Sequence, residues 1–143
     1  MNRQEIKCWL EFYGIKNYTI SDDLVVDVDG GVNLHNRYIT VIPFKFGKVT
    51  GNFHCSNNHL TTLQNCPDTV GGSFSCKYNK LSSLKYCPAE IGGLLHCGYN
   101  PFIVTEENES VWIEYIKKYF NLYDNIPNPS EAITSFYKMV YEV

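Results

Sequence analysis

Residues 49–102 read VTGNFHCSNNHLTTLQNCPDT, then VGGSFSCKYNKLSSLKYCPAE, then IGGLLHCGYNPF, which is one sentence written almost three times. Cys55, Cys76 and Cys97 mark a period of 21 residues, and Asn58, Asn79 and Asn100 keep step with them. Leu60, Leu81 and Phe102 do the same. A fixed period of this size means stacked structural units, each burying its apolar face against the next. Phe53 and Cys55, Phe74 and Cys76, and Leu95 and Cys97 alternate with polar or small neighbours, the two-residue period of a half-buried strand. One short parallel strand per unit is expected, near Val32 to Leu34, Asn52 to Cys55, Ser73 to Cys76 and Leu94 to Cys97.

Each unit reads F-x-C-x-x-N-x-L-x-x-L, which resembles the leucine-rich-repeat core L-x-L-x-x-N-x-L with aromatic and cysteine residues in two leucine places. An Asn at that place turns its amide inward and bonds backbone groups where the chain leaves the strand, so Asn58, Asn79 and Asn100 are expected to be structural. Cys66-Pro67 and Cys87-Pro88 then end the convex arm, because Pro cannot extend a ladder. Running the register back by one period places Gly30, Val32, Leu34, Ile39 and Ile42 in matching columns. The Asn place falls on Arg37 and the Cys-Pro place on Lys45-Phe46, so this first rung is degenerate, as end repeats are. The fold class expected is an α/β solenoid of about four rungs, with one helix before it and two after it as caps.

A chain of 143 residues with 44% hydrophobic and 19% charged content is a single globular domain. Its expected parts are a cap and lead-in over 1–27, the array over 28–104 and a helical cap over 105–143. A net charge of −3 gives no overall basic footprint, so neither nucleic acid nor an acidic membrane surface is an expected partner. There is no apolar run near membrane length, and MNRQEIKCWLEFYGIK lacks a signal-peptide block, so a cytoplasmic protein is expected. The six cysteines fall into repeat columns, apart from Cys8, and read as small buried fillers in the reduced state.

Ile6, Trp9, Leu10 and Tyr13 form a helical stripe before Gly14, predicting a helix from Arg3 to Tyr13 across the open end of the first rung. KNYTISDD reads as a polar turn, and Leu24 to Val28 as a strand or extended lead-in. Asp27, Asp29 and Gly30 lack the ligand ladder of a calcium loop and read as a turn. The block NYTISDDLVVDVDGGVNL, running into FGKVTGNFHCSNNHLTTL with its CP-x-x-V-GG linker, resembles the short leucine-rich-repeat-like proteins encoded by tailed bacteriophages. That resemblance implies a curved solenoid, a setting in the cytoplasm of the bacterial host, and no catalytic residues.

Beyond the repeats, Trp112, Tyr115, Ile116, Tyr119, Phe120 and Tyr123 share one face of a predicted helix from Glu106 to Leu122, with Thr105 as its cap. A second helix follows, with Asn128 as cap, Pro129 at its first place and Ile133, Phe136, Tyr137 and Val140 on its apolar side. Residues alternating with the buried set are expected on the open side of the sheet: Asn33, His35, Asn52, His54, Ser56, Ser73, Ser75, Lys77, Leu94, His96 and Gly98. His54 and His96 lie two rungs apart, about 9.6 Å, too far to share a zinc ion. His54-Cys55 and His96-Cys97 cannot act as thiol dyads, because neighbours in a strand point to opposite faces. No phosphate loop, nucleophile elbow, paired-carboxylate arrangement or cofactor motif occurs.

The reading that follows is a non-enzymatic protein-binding module whose target, in the phage setting, is a host protein. It would use Asn33, His54, Ser75, Lys77 and His96 with Tyr78 and Tyr99, or alternatively the C-terminal aromatic helices. The competing reading is a protein that sequesters a small molecule or nucleotide between the concave face and the C-terminal aromatic helices, since rings such as Tyr78, Tyr99, Trp112 and Tyr115 can stack on a base.

Overall fold

In the computed structural model, which describes residues 1–120 and 129–141, the 21-residue units are turns of a β-solenoid. The elements in chain order are α1 (Arg3–Phe12), β1 (Tyr18–Ile20), β2 (Val26–Val28), β3 (Val32–Asn33), β4 (Phe46–Val49) and β5 (Phe53–His54). They continue with β6 (Thr69–Val70), β7 (Phe74–Ser75), β8 (Glu90–Ile91), β9 (Leu95–His96), α2 (Glu109–Phe120) and α3 (Pro129–Tyr141). The chain divides into two compact units, Met1–Asn100 and Pro101–Val143.

The strands expected from the alternating pattern stack in parallel as β3-β5-β7-β9, with Val32 opposite Phe53, Phe53 opposite Phe74 and Phe74 opposite Leu95. One strand per unit was too few. A second sheet runs β1-β2-β4-β6-β8, parallel except for β1, which pairs antiparallel with β2. Its strands in the regular units, Thr69–Val70 and Glu90–Ile91, are two residues long, too short to display a period, and each sits between a proline turn and a glycine pair. The ladder runs on through that glycine corner, where Gly71 donates to the Val49 carbonyl and Gly92 to the Val70 carbonyl. The turns approach so closely there that a Cβ on Gly71 would overlap the Thr50 carbonyl, and one on Gly92 the Gly71 carbonyl.

Between the two sheets the columns of the repeat become the core. Phe53, Phe74, Leu60, Leu81, Leu63 and Leu84 are buried, and the rings of Phe53 and Phe74 stack at 5.6 Å with 12° between their planes. Burying each such side chain stabilises the fold by about 1.5–3 kcal/mol. Cys55, Cys76 and Cys97 fill the narrower column beside them, where a larger residue would push the rungs apart.

At the N-terminal end α1 begins with a capping box between Asn2 and Glu5 and buries Ile6 and Leu10. Trp9 meets Phe44 of the first turn edge-on at 5.1 Å, so the helix packs on that turn as expected. Gly14 follows the helix in the left-handed region, with φ of +70°. The KNYTISDD stretch departs from the polar turn expected of it. Tyr18–Ile20 is a strand that covers the edge of β2, and Arg3 anchors its end by donating to the carbonyls of Ile20 and Ser21 at 2.7 and 2.9 Å. Leu24, expected within the extended lead-in, instead turns the chain with φ of +62°.

The asparagine column explains the degenerate first rung. Asn58 Oδ1 accepts from the backbone N–H groups of Arg37 and Ile39, each at 3.0 Å, while its amide nitrogen donates to the carbonyls of Leu34, Cys55 and Ser56. Asn79 accepts from Leu60 and donates to Cys55, Cys76 and Lys77. Asn100 accepts from Leu81 and donates to Cys76, Cys97 and Gly98. Each amide therefore serves its own turn and the turn before it. Arg37 has no earlier turn to serve, which is why the column can lack Asn there.

In the C-terminal unit Thr105 and Asn108 exchange side-chain and backbone hydrogen bonds, which moves the start of α2 from the expected Glu106 to Glu109. Trp112, Ile116 and Phe136 are buried; the Trp112 and Phe136 rings lie 5.4 Å apart, and Phe120 is 5.2 Å from Phe136. Much of the aromatic stripe thus joins α2 to α3. Tyr123, the cap expected at Asn128 and the side chain of Val140 lie outside the described residues.

Replacing Asn79 by Ala takes the acceptor from the buried Leu60 N–H and one donor from each of the Cys55, Cys76 and Lys77 carbonyls, at a cost of about 1–3 kcal/mol. Urea unfolding should show a lower midpoint with an unchanged slope. A midpoint equal to that of the parent would deny the amide this role.

Candidate functional site

The parallel register sets Asn33, His54, Ser75 and His96 side by side across β3, β5, β7 and β9, about 4.8 Å from one rung to the next. Asn33 and His96 are exposed and His54 is half-buried. Ser75, expected to stand open, is only 6% exposed, since its short side chain lies between two larger imidazoles in the same column.

Other residues of the open side are occupied along the stack. Asn52 Oδ1 accepts from the Ser73 N–H at 2.8 Å, and Ser73 Oγ accepts from the Leu94 N–H at 3.0 Å, so these side chains staple one rung to the next. His35 Nδ1 and Ser56 Oγ meet at 3.0 Å. On the neighbouring sheet Asp27, read from the sequence as part of a turn, is instead the middle residue of β2 and accepts from the Lys48 N–H, whereas Asp29 lies in the bend after β2 and accepts from the Thr50 hydroxyl. Among the described residues no three His, Cys, Asp or Glu side chains converge as a metal site would require.

Where the chain leaves the sheet, Asn36, Asn57, Tyr78 and Tyr99 occupy one column, all in the left-handed region with φ of 55–58°. Asn enters that region readily, whereas a tyrosine pays about 1–2 kcal/mol for it. The Tyr78 and Tyr99 rings stack at 4.3 Å, with 3° between their planes, while remaining 47% and 42% exposed. Desolvation, then the phenol of Tyr99, raises the Tyr78 phenol above its ordinary pKa. Lys77 places its ammonium 6.0 Å from the centre of the Tyr99 ring.

Two columns further on, Tyr38, 78% exposed with φ of 57°, lies 6.2 Å from the His59 ring. Tyr38 and His59 were not among the residues expected to form the site. Their signal was the column they share, just past the Arg37 and Asn58 places.

The cysteines point the other way, into the core. The Cys55 thiol donates to the Ser75 carbonyl at 3.4 Å, and Cys55 and Cys97 are shut away from the surface that carries His54 and His96. A hydrogen bond with Cys55 and then burial push the Cys66 thiol well above its ordinary value. Burial does the same for Cys76, and pushes Cys97 up to about 12. Such thiols stay protonated at neutral pH and are poor nucleophiles.

A shallow groove of about 480 Å³ lies elsewhere, on the outer side of α1, lined by residues that include Trp9, Phe12 and Tyr13. No described helix is long and apolar enough to cross a membrane. The chain matches no protein-family model, no curated protein and no solved structure.

Iodoacetamide at about pH 8 should label the exposed Cys8 in the native protein and reach Cys55, Cys66, Cys76 and Cys97 only after unfolding. Peptide mapping reads the outcome. Labelling of Cys76 under native conditions would mean that the stack opens in the middle.

Proposed function

We propose that this chain is a non-enzymatic protein-binding module that meets its partner with the open side of the β3-β5-β7-β9 sheet and the corner next to it. The observation that carries this reading is the Tyr78–Tyr99 pair: two large rings kept half in water by a backbone conformation that tyrosine adopts at a cost. Folding needs no tyrosine there, since Asn36 and Asn57 make the same turn. Tyrosine offers a partner a broad amphipathic surface with few rotatable bonds, and the core beneath holds the backbone that presents it. Little ordering entropy then remains to be lost on association.

The resemblance to phage-encoded repeat proteins makes a protein of the bacterial host the target of this module. The nucleotide-sequestering reading is the weaker one, because the tyrosine rings already face each other at 4.3 Å and leave no slot between them for a base. The C-terminal helices are the weaker location, because Trp112 and Phe136 are consumed in packing.

The test sets two variants side by side, one with His54, Lys77 and His96 all changed to Glu, the other with Tyr115 and Tyr119 changed to Ala. Ser75 is left alone because a Glu in its nearly closed place would disturb the sheet. In pull-downs from infected cells the first variant should lose the partner at an unchanged melting temperature, and the second should keep it. The reverse result would move the contact to the helices. Retention by both variants would remove the surface from consideration.

A further inference from the structure

The charge of this chain is unevenly placed. Residues 28–104 hold six Lys and Arg against three Asp and Glu, whereas 1–27 hold three against five and 105–143 three against seven. All four histidines also fall within the array. The parts of each turn that form the open sheet and its corner, residues 31–38, 52–59, 73–80 and 94–100, contain no carboxylate side chain at all.

The three carboxylates of the array lie away from those segments. Asp29 accepts from Thr50, Asp68 pairs with Lys45 at 2.8 Å, and Glu90 belongs to β8 in the other sheet. The acid-free segments carry Arg37, Lys77 and Lys80, and among the described residues none of these three forms an ion pair. Arg37 and Lys80 are exposed, and the Arg37 guanidinium lies 6.0 Å from the Tyr13 ring. A locally cationic face attracts an acidic partner although the chain as a whole carries a net charge of −3, and the absence of carboxylates in these segments means that a bound carboxylate meets no like charge nearby.

We infer that the open side of the β3-β5-β7-β9 sheet and its corner receives an acidic segment of a partner protein, with carboxylates at Arg37, Lys77 and Lys80 and apolar or aromatic groups on the Tyr78–Tyr99 pair. This rests on the protein-binding reading above and adds the chemistry of the partner to it. Arg37 and Lys80 lie outside the group of residues changed to test that reading, so the two can fail separately.

The probes are a fluorescein-labelled peptide of alternating Glu and Tyr, the same peptide with Gln in place of Glu, and an oligothymidylate of equal charge. Fluorescence anisotropy with the full chain should show the Glu-Tyr peptide bound at least roughly tenfold more tightly than the Gln-Tyr peptide, with affinity falling as salt rises. Changing Arg37 and Lys80 together to Glu should weaken the Glu-Tyr peptide about tenfold at an unchanged melting temperature, and Arg37→Lys with Lys80→Arg should restore it.

Equal binding of the Glu and Gln peptides, or no binding of either, overturns the inference. Tighter binding of the oligothymidylate overturns it in favour of a nucleic acid. Sedimentation that shows a dimer dispersed by the same Glu substitutions overturns it in favour of a second copy of this chain. If the acidic peptide fails while the His54, Lys77 and His96 variant still loses a captured protein, the acidic partner is refuted and the protein-binding surface stands.

Discussion

The structure depends on one recurring interaction, the buried asparagine amide that bonds backward across a turn. A solenoid turn must bend its backbone at the end of each strand, and the bend leaves N–H and carbonyl groups inside the molecule, out of reach of water. Asn58, Asn79 and Asn100 meet that need with a single side chain per turn, accepting through oxygen and donating through nitrogen. The apolar columns supply most of the stabilising burial and favour the same register. The amide adds to that discrimination, because a slip of one residue would turn it to the wrong face of the strand and leave the bend unpaired.

The same constraint separates residues that hold the fold from residues that are free to meet a partner. Asn52, Ser73 and Asp27 look like surface polar residues, yet each accepts from the backbone of the next turn. The large side chains that stand in water lie elsewhere on this side, at His96 of β9 and at the corner that carries Tyr78 and Tyr99. The tyrosines at that corner occupy backbone positions suited to asparagine, so their presence is a departure from what folding alone requires.

Much of this was legible in the residues. Phe53, Cys55 and Leu60 recur at 21 with a two-residue alternation inside each unit, and those two periods together determine the parallel register and the inward columns. The second sheet was not legible, because Thr69–Val70 and Glu90–Ile91 are too short to alternate and owe their pairing to neighbours 21 residues away. Tyr18–Ile20 was hidden for a related reason: its strand character comes from pairing with Val26–Val28, and its polar flanks read as a turn. The site was legible only in outline. Alternation identifies which side of a strand a residue takes, but the near-closure of Ser75 and the stacking of Tyr78 on Tyr99 depend on the sizes of neighbours in adjacent turns.

The backward reach of the asparagines also gives the stack a direction in time. A ribosome delivers the chain from its N-terminus, and the turn built from residues 34–39 has no amide for its inner N–H groups until Asn58 has emerged. The turn after it waits in the same way for Asn79, and the next for Asn100. The hydrogen bonds thus impose an order on completion: the inner bend of each of these turns is satisfied only once the following turn is in place. The α1 helix and β1 precede the array in the chain, so the end that they cover can be closed before the later turns are made.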